Sequence, residues 1–76
     1  MNKVRRKRLE DLLAKIEEVK DLLEEVKDEE QEALDNMPEN LQGSERYEAM
    51  EDAISAMENA MDNLGDAADN IEEAME

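Results

Sequence analysis

Carboxylates are the most plentiful side chains in this chain that could take part in chemistry. Its 76 residues include 24 Asp and Glu and 9 Lys and Arg, for a net charge of -15, and no His or Cys. The lack of Cys excludes disulfides and thiol catalysis, and the lack of His removes the commonest general base and transition-metal ligand. We therefore expect a protein that is not an enzyme and needs no cofactor.

Pairs of carboxylates one helical turn apart, such as Asp62 and Asp66, have a spacing that metal ligands sometimes use. Di-metal sites in helix bundles combine Glu with inward Glu-x-x-His motifs, and this chain has no His. The segment from Asp62 to Glu73 has a weak likeness to a calcium loop, but Leu64 and Ala67 stand where an oxygen ligand and a glycine are required. We expect no catalytic, cofactor-binding or metal site.

Apolar residues recur in alternating steps of three and four along two series. The first series consists of Leu9, Leu12, Ile16, Val19, Leu23 and Val26. The second consists of Tyr47, Met50, Ile54, Met57, Met61, Leu64, Ala68, Ile71 and Met75. This spacing is typical of the buried seam of a coiled coil and predicts two long amphipathic helices.

The segment between the two series predicts a turn. Pro38 disfavours helix at the residue before it, and Ser44 is suited to cap a following helix. We predict an all-α antiparallel hairpin forming a single unit over residues 1–76, with helix 1 at about 3–35, a loop at about 36–44 and helix 2 at about 45–75. Leu41 is expected to plug the end of the helix bundle, and Gly65 to lie within a continuous helix.

Both apolar stripes are wider than one partner helix can cover. An alanine column precedes the seam of helix 2 at Ala53, Ala60, Ala67 and Ala74, and Leu13, Leu22 and Leu34 widen the stripe of helix 1. We therefore predict a homodimer that forms a four-helix bundle. Its expected self-association seam consists of Leu12, Ile16, Val19, Leu23, Met50, Ile54, Met57, Met61, Leu64 and Ile71. The methionines could alternatively form a pliable recognition surface, although their helical spacing favours ordinary core.

Basic residues are concentrated at the start of helix 1. They are Lys3, Arg5, Arg6, Lys7 and Arg8, and the facing end of helix 2 carries Asp69, Glu72, Glu73 and Glu76. A hairpin brings these ends together, so we expect the two groups to neutralise each other. The alternative is that the basic run is a nucleic-acid-binding arm or a nuclear address.

The remaining charge is one-sided. Residues 28–76 contain 17 acids and one arginine, a local charge of -16, whereas residues 1–27 have 8 bases and 7 acids. Outward rows of acids on helix 2 form the expected partner-binding face, called the acidic face below. It consists of Glu48, Glu51, Asp52, Glu58, Asp62, Asp66, Asp69, Glu72 and Glu73. Such a face either mimics nucleic-acid phosphates in a basic cleft or only keeps the protein soluble.

The turn and the start of helix 2 carry a recognisable pattern. The run Pro38-Glu39-Asn40-Leu41-Gln42, followed by Ser44-Glu45-Arg46 and an acidic, alanine-rich heptad helix, resembles small uncharacterised acidic coiled-coil proteins of Firmicutes and their phages. The resemblance implies a bacterial or phage setting and supplies no activity or site residue.

Two function classes remain open from the sequence. One is a non-enzymatic acidic module that binds another protein. An example is a phage or mobile-element inhibitor that mimics nucleic acid in the basic cleft of a host protein. The other is an architectural, self-associating module such as a small phage assembly factor. The basic start MNKVRRKR is not followed by the apolar segment of a signal peptide, and no apolar run could span a bilayer. We expect a cytoplasmic protein that binds neither membranes nor nucleic acid directly.

Overall fold

The computed structural model describes residues 1–76, the whole chain. It contains two long helices, α1 (Lys3–Asp35) and α2 (Glu45–Met75), and a single 3-10 turn at Glu39–Leu41 between them. The helices pack side by side as a hairpin that measures 60 × 15 × 12 Å, and the chain has no strand. The predicted all-α helical hairpin is confirmed, and both helices have the bounds that the sequence pattern indicates.

A polar side chain caps the first turn of each helix. The Asn2 side-chain oxygen accepts a hydrogen bond from the Arg5 backbone N–H at 2.8 Å, and Ser44 Oγ accepts one from the Tyr47 N–H at 3.2 Å. These bonds satisfy donors that the helix itself leaves unpaired. The predicted Ser44 cap is therefore confirmed, whereas the Asn2 cap was not predicted.

The turn between the helices is held by short backbone hydrogen bonds. The Leu41 N–H donates to the Pro38 carbonyl at 2.9 Å, and the Ser44 N–H donates to the Leu41 carbonyl at 3.1 Å. Gly43 has a φ of 88°, a left-handed conformation that glycine adopts without steric cost. Leu41 is 46% exposed in the single hairpin, and its expected place at the end of a bundle stays a prediction.

The core of the hairpin is a single thin seam between the helices. Only Leu34, Ile54 and Ala68 are buried, with exposed fractions of 6 to 9%. Every residue of the predicted α2 series from Tyr47 to Met75 is buried or half-buried, and the series continues without interruption past Gly65. The seam of α2 therefore packs against α1 along its whole length, and Gly65 lies inside one continuous helix as expected.

Helix α1 contacts α2 through a different column than the spacing suggested. Leu9, Ile16 and Leu23 are half-buried as predicted, but Leu12, Val19 and Val26 are 45 to 51% exposed. The second column of the interface instead consists of Leu13, Lys20, Lys27 and Leu34. The two lysines can occupy it because their aliphatic stems cover apolar surface. The charged end of Lys20 lies in a groove with acids of α2, whereas that of Lys27 pairs with Asp28 of α1.

We predict that Gly65→Ala stabilises the hairpin. A methyl group at this position would meet only Lys20 Nζ, at 3.9 Å, which is ordinary van der Waals contact. Alanine is favoured over glycine in a helix interior by about 1 kcal/mol. The melting temperature measured by circular dichroism should therefore rise by several degrees.

Gly43→Ala is the matched control for this substitution. A Cβ at Gly43 would meet no atom within 4 Å, but the φ of 88° strains any residue with a Cβ. We expect Gly43→Ala to lower the melting temperature. A lower melting temperature for Gly65→Ala would show that crowding of Lys20 by the added methyl group outweighs the gain in helix propensity.

Candidate protein-binding surfaces

The acidic face of α2 is exposed on the surface of the hairpin. All nine of its predicted residues are exposed, and none of them forms a salt bridge. The heptad explains this placement, since the acids stand at positions between the seam residues and on the outer side of α2. The face therefore presents a row of carboxylates, none of which lies within salt-bridge distance of a basic side chain.

The chain forms only two salt bridges, and both lie within α1. Lys7 Nζ is 3.1 Å from Asp11 Oδ1, and Lys27 Nζ is 3.7 Å from Asp28 Oδ1. No ion pair joins the basic start of α1 to the acidic end of α2, so the expected pairing of these two groups is wrong.

The structure gives the physical reason for this missing pairing. Residues 1–8 are all exposed, and the first α1 residue with partial burial is Leu9. A shallow depression of about 260 Å³ beside this end is lined by Met1, Arg5, Arg8, Leu9 and Leu12, without any residue of α2. The first two turns of α1, residues 3–8, therefore extend past α2 and form what we call the basic tip.

Within the basic tip, Lys7 is paired with a neighbour on its own helix. The hydrogen bond to Asp11, and then the charge of that carboxylate, raise the pKa of Lys7 above its ordinary value. A raised lysine pKa contributes stability that is complete below the ordinary pKa and is lost as the pH rises through the folded value. This contribution is therefore constant at neutral pH, and Lys7 stays charged.

Lys20 of α1 lies beside the acidic side of α2. It lines an open groove of about 360 Å³ together with Gly65 and five acids, which are Glu17, Asp62, Asp66, Asp69 and Glu72. The missing side chain at Gly65 leaves room for the ammonium group, whose Nζ is 3.9 Å from the place a Cβ would take. One half-buried cation thus stands inside an acidic groove.

A second groove marks the same flank nearer the turn. It has a volume of about 330 Å³ and is lined by Gln31, Leu34 and Asp35 of α1 and by Tyr47, Glu51, Ile54 and Ser55 of α2. Both grooves join the Lys20 side of α1 to the acidic side of α2. This flank of the hairpin is therefore polar and mostly negative.

The opposite flank is apolar. The exposed α1 residues Leu12, Val19 and Val26 each precede an interface position by one residue, and so do the alanines of the α2 column. In an antiparallel pair such positions lie along the same side of the seam. The apolar flank is defined here as Leu12, Val19, Leu22 and Val26 of α1 with Ala53, Ala60 and Ala67 of α2.

The residues predicted for self-association divide between two places in the structure. Ile16 and Leu23 of α1 lie in the seam inside the hairpin, together with all the predicted α2 members, which are Met50, Ile54, Met57, Met61, Leu64 and Ile71. Leu12 and Val19 lie on the apolar flank and are not covered within one chain. The spacing alone could not separate these groups. In a stripe three columns wide, either of two neighbouring pairs of columns fits the heptad repeat of a buried seam.

No group of three carboxylates converges closely enough to hold a metal ion. Neither helix includes an apolar window long enough to cross a membrane. Comparisons with known protein families, with curated proteins and with solved structures find no match for this chain. The resemblance to acidic coiled-coil proteins of Firmicutes and phages stays a prediction.

We predict that salt stabilises this protein. The net charge of -15 is held on a narrow rod with only two ion pairs, so repulsion among carboxylates opposes folding. Raising NaCl from about 0.01 M to about 1 M shortens the Debye length from about 30 Å to about 3 Å. The melting temperature should rise across this range, and a fall would show that attractive ion pairs dominate.

A second prediction concerns Lys20. Lys20→Glu would place a carboxylate in the acidic groove, and we expect it to destabilise the hairpin by about 1 kcal/mol or more. Lys20→Met keeps the aliphatic stem and removes only the charge, so its loss should be smaller. Urea denaturation measures both, and equal stability of Lys20→Glu and the unmodified protein would contradict the placement of Lys20.

Proposed function

We propose that this protein is a non-enzymatic binding module whose acidic face docks against a basic surface of a partner protein in the cytoplasm. The observation that supports this proposal is the exposure of all nine acids of the face without a single ion pair. Docking would not have to break internal salt bridges, and each new contact with Lys or Arg would relieve repulsion within the face.

The charge density of the rod supports a more specific partner class. A charge of -15 along 60 Å is about one negative charge per 4 Å, whereas duplex DNA carries one per about 1.7 Å. Two hairpins side by side would approach the DNA value. We therefore propose that the partner surface is a cleft of a host protein that binds nucleic-acid phosphates, and that the chain acts as a phage or mobile-element inhibitor.

A second candidate function is purely architectural. The exposed apolar flank favours it, because a stripe of Leu and Val on the surface of a highly charged chain is suited to association between helices. In that case the chain would only self-associate, for example as a small phage assembly factor, and the acids would keep the assembly soluble.

Charge reversal on the acidic face tests the proposed docking. We expect Glu51→Lys, Glu58→Lys, Asp62→Lys and Asp66→Lys, combined in one variant, to abolish capture of a basic nucleic-acid-binding protein from host lysate. Capture by the unmodified chain should weaken steeply with salt. Added duplex DNA should reverse it, since the DNA and the acidic face would compete for the same Lys and Arg side chains of the partner. Mass spectrometry identifies the captured protein.

The chain offers a matched control with the same change in net charge. Glu18, Asp21, Glu25 and Asp28 are exposed on α1, outside the acidic face. Their combined reversal to Lys should leave capture largely intact. Circular dichroism checks folding, because a seam change such as Met57→Lys would abolish capture by unfolding alone. A folded acidic-face variant that retains the partner would eliminate the docking proposal and favour the architectural one.

A further inference from the structure

We propose that the apolar flank binds a second copy of this chain, with the two hairpins antiparallel about a two-fold axis near Val19. In this arrangement each basic tip lies along the acidic end of α1 in the other copy. The proposal does not depend on the docking function above, because the acidic face would remain on the outside of both hairpins.

The first support is apolar surface that the hairpin leaves uncovered. Leu12, Val19, Leu22 and Val26 are 45 to 54% exposed, and they follow one another along about 21 Å of α1. The neighbouring alanine column keeps this flank free of bulky side chains, so another helix could approach closely. A chain of this size that buries only three residues is of the kind that oligomerisation commonly stabilises.

The second support is that the stripe is complementary to itself. A two-fold interface brings the same patch together from both copies, so each residue must suit its symmetry mate. Around an axis at Val19, Leu12 of one copy faces Val26 of the other, and Val19 faces its own equivalent. Apolar residues thereby meet apolar residues along the whole stripe.

The charges select the antiparallel orientation. Residues 3–8 contain five basic residues and no acid, whereas residues 28–35 contain five acids and no base. The antiparallel register brings Arg8 near Glu29 and Arg5 near Glu32 of the other copy, and all four side chains are exposed. A parallel dimer would instead place the two basic tips together, and like charges brought together oppose association.

Sedimentation equilibrium of charge variants tests both the dimer and its orientation. The unmodified chain should be a reversible dimer at micromolar concentrations. Arg5→Glu with Arg8→Glu should weaken dimerisation about tenfold or more, because four pairs change from attraction to repulsion across one interface. Adding Glu29→Arg and Glu32→Arg to the same chain should restore the dissociation constant to within about threefold.

A single cysteine gives an independent test, since the natural chain has no Cys. Val19→Cys lies beside its symmetry mate in the proposed dimer, so mild oxidation should link two chains through a disulfide. Glu58→Cys, on the acidic face, is the matched control and should remain unlinked under the same conditions.

Three results would overturn the proposal. They are a monomer at high micromolar concentration, tighter association of the Arg5→Glu, Arg8→Glu variant, and a dimer in which Val19→Cys fails to crosslink. The second would indicate a parallel dimer, and the third would place the interface elsewhere. The acidic face is exposed in a single hairpin, so lysate capture remains a separate test of the docking proposal.

Discussion

The unbroken repeat of apolar residues along α2 is the constraint on which the rest of this structure depends. From Tyr47 to Met75 it keeps one side of the helix against α1 for its whole length, which requires Gly65 to remain helical. Two helices can bury only one narrow seam, so the core consists of three residues. The remaining apolar surface must stay on the outside of the hairpin or be covered by another molecule.

This seam divides the surface into two unlike flanks. On one flank Lys20 lies over Gly65 among the acids of α2, and on the other Leu12, Val19 and Val26 run beside the alanine column. The two proposed contacts therefore use different surfaces, the acidic face for a basic partner and the apolar flank for a second hairpin. A dimer would also bring two acidic rods together and raise the charge density that a phosphate-binding cleft would encounter.

Periodicity and turn chemistry were enough to predict the helices, their bounds and the Ser44 cap, because each depends on local sequence. The packing column of α1 was not predictable in the same way. Leu12 and Leu13 both satisfy a heptad frame, and the structure places the charged Lys20 and Lys27 in the interface. The failed pairing at the basic tip has a similar cause, because helix lengths alone do not determine how far α1 extends past α2.

The contact between Lys20 and Gly65 tests the central claim most directly, because it fixes which side of α1 faces α2. Nuclear Overhauser effects can be measured between the Gly65 α-protons and assigned side chains of α1. We predict cross-peaks to the Lys20 side chain, as expected for an Nζ that lies 3.9 Å from the Cβ position of Gly65. Cross-peaks from the Gly65 α-protons to the Val19 methyl groups, with none to Lys20, would contradict this packing of α1 against α2. They would also contradict the assignment of an acidic and an apolar flank that depends on it.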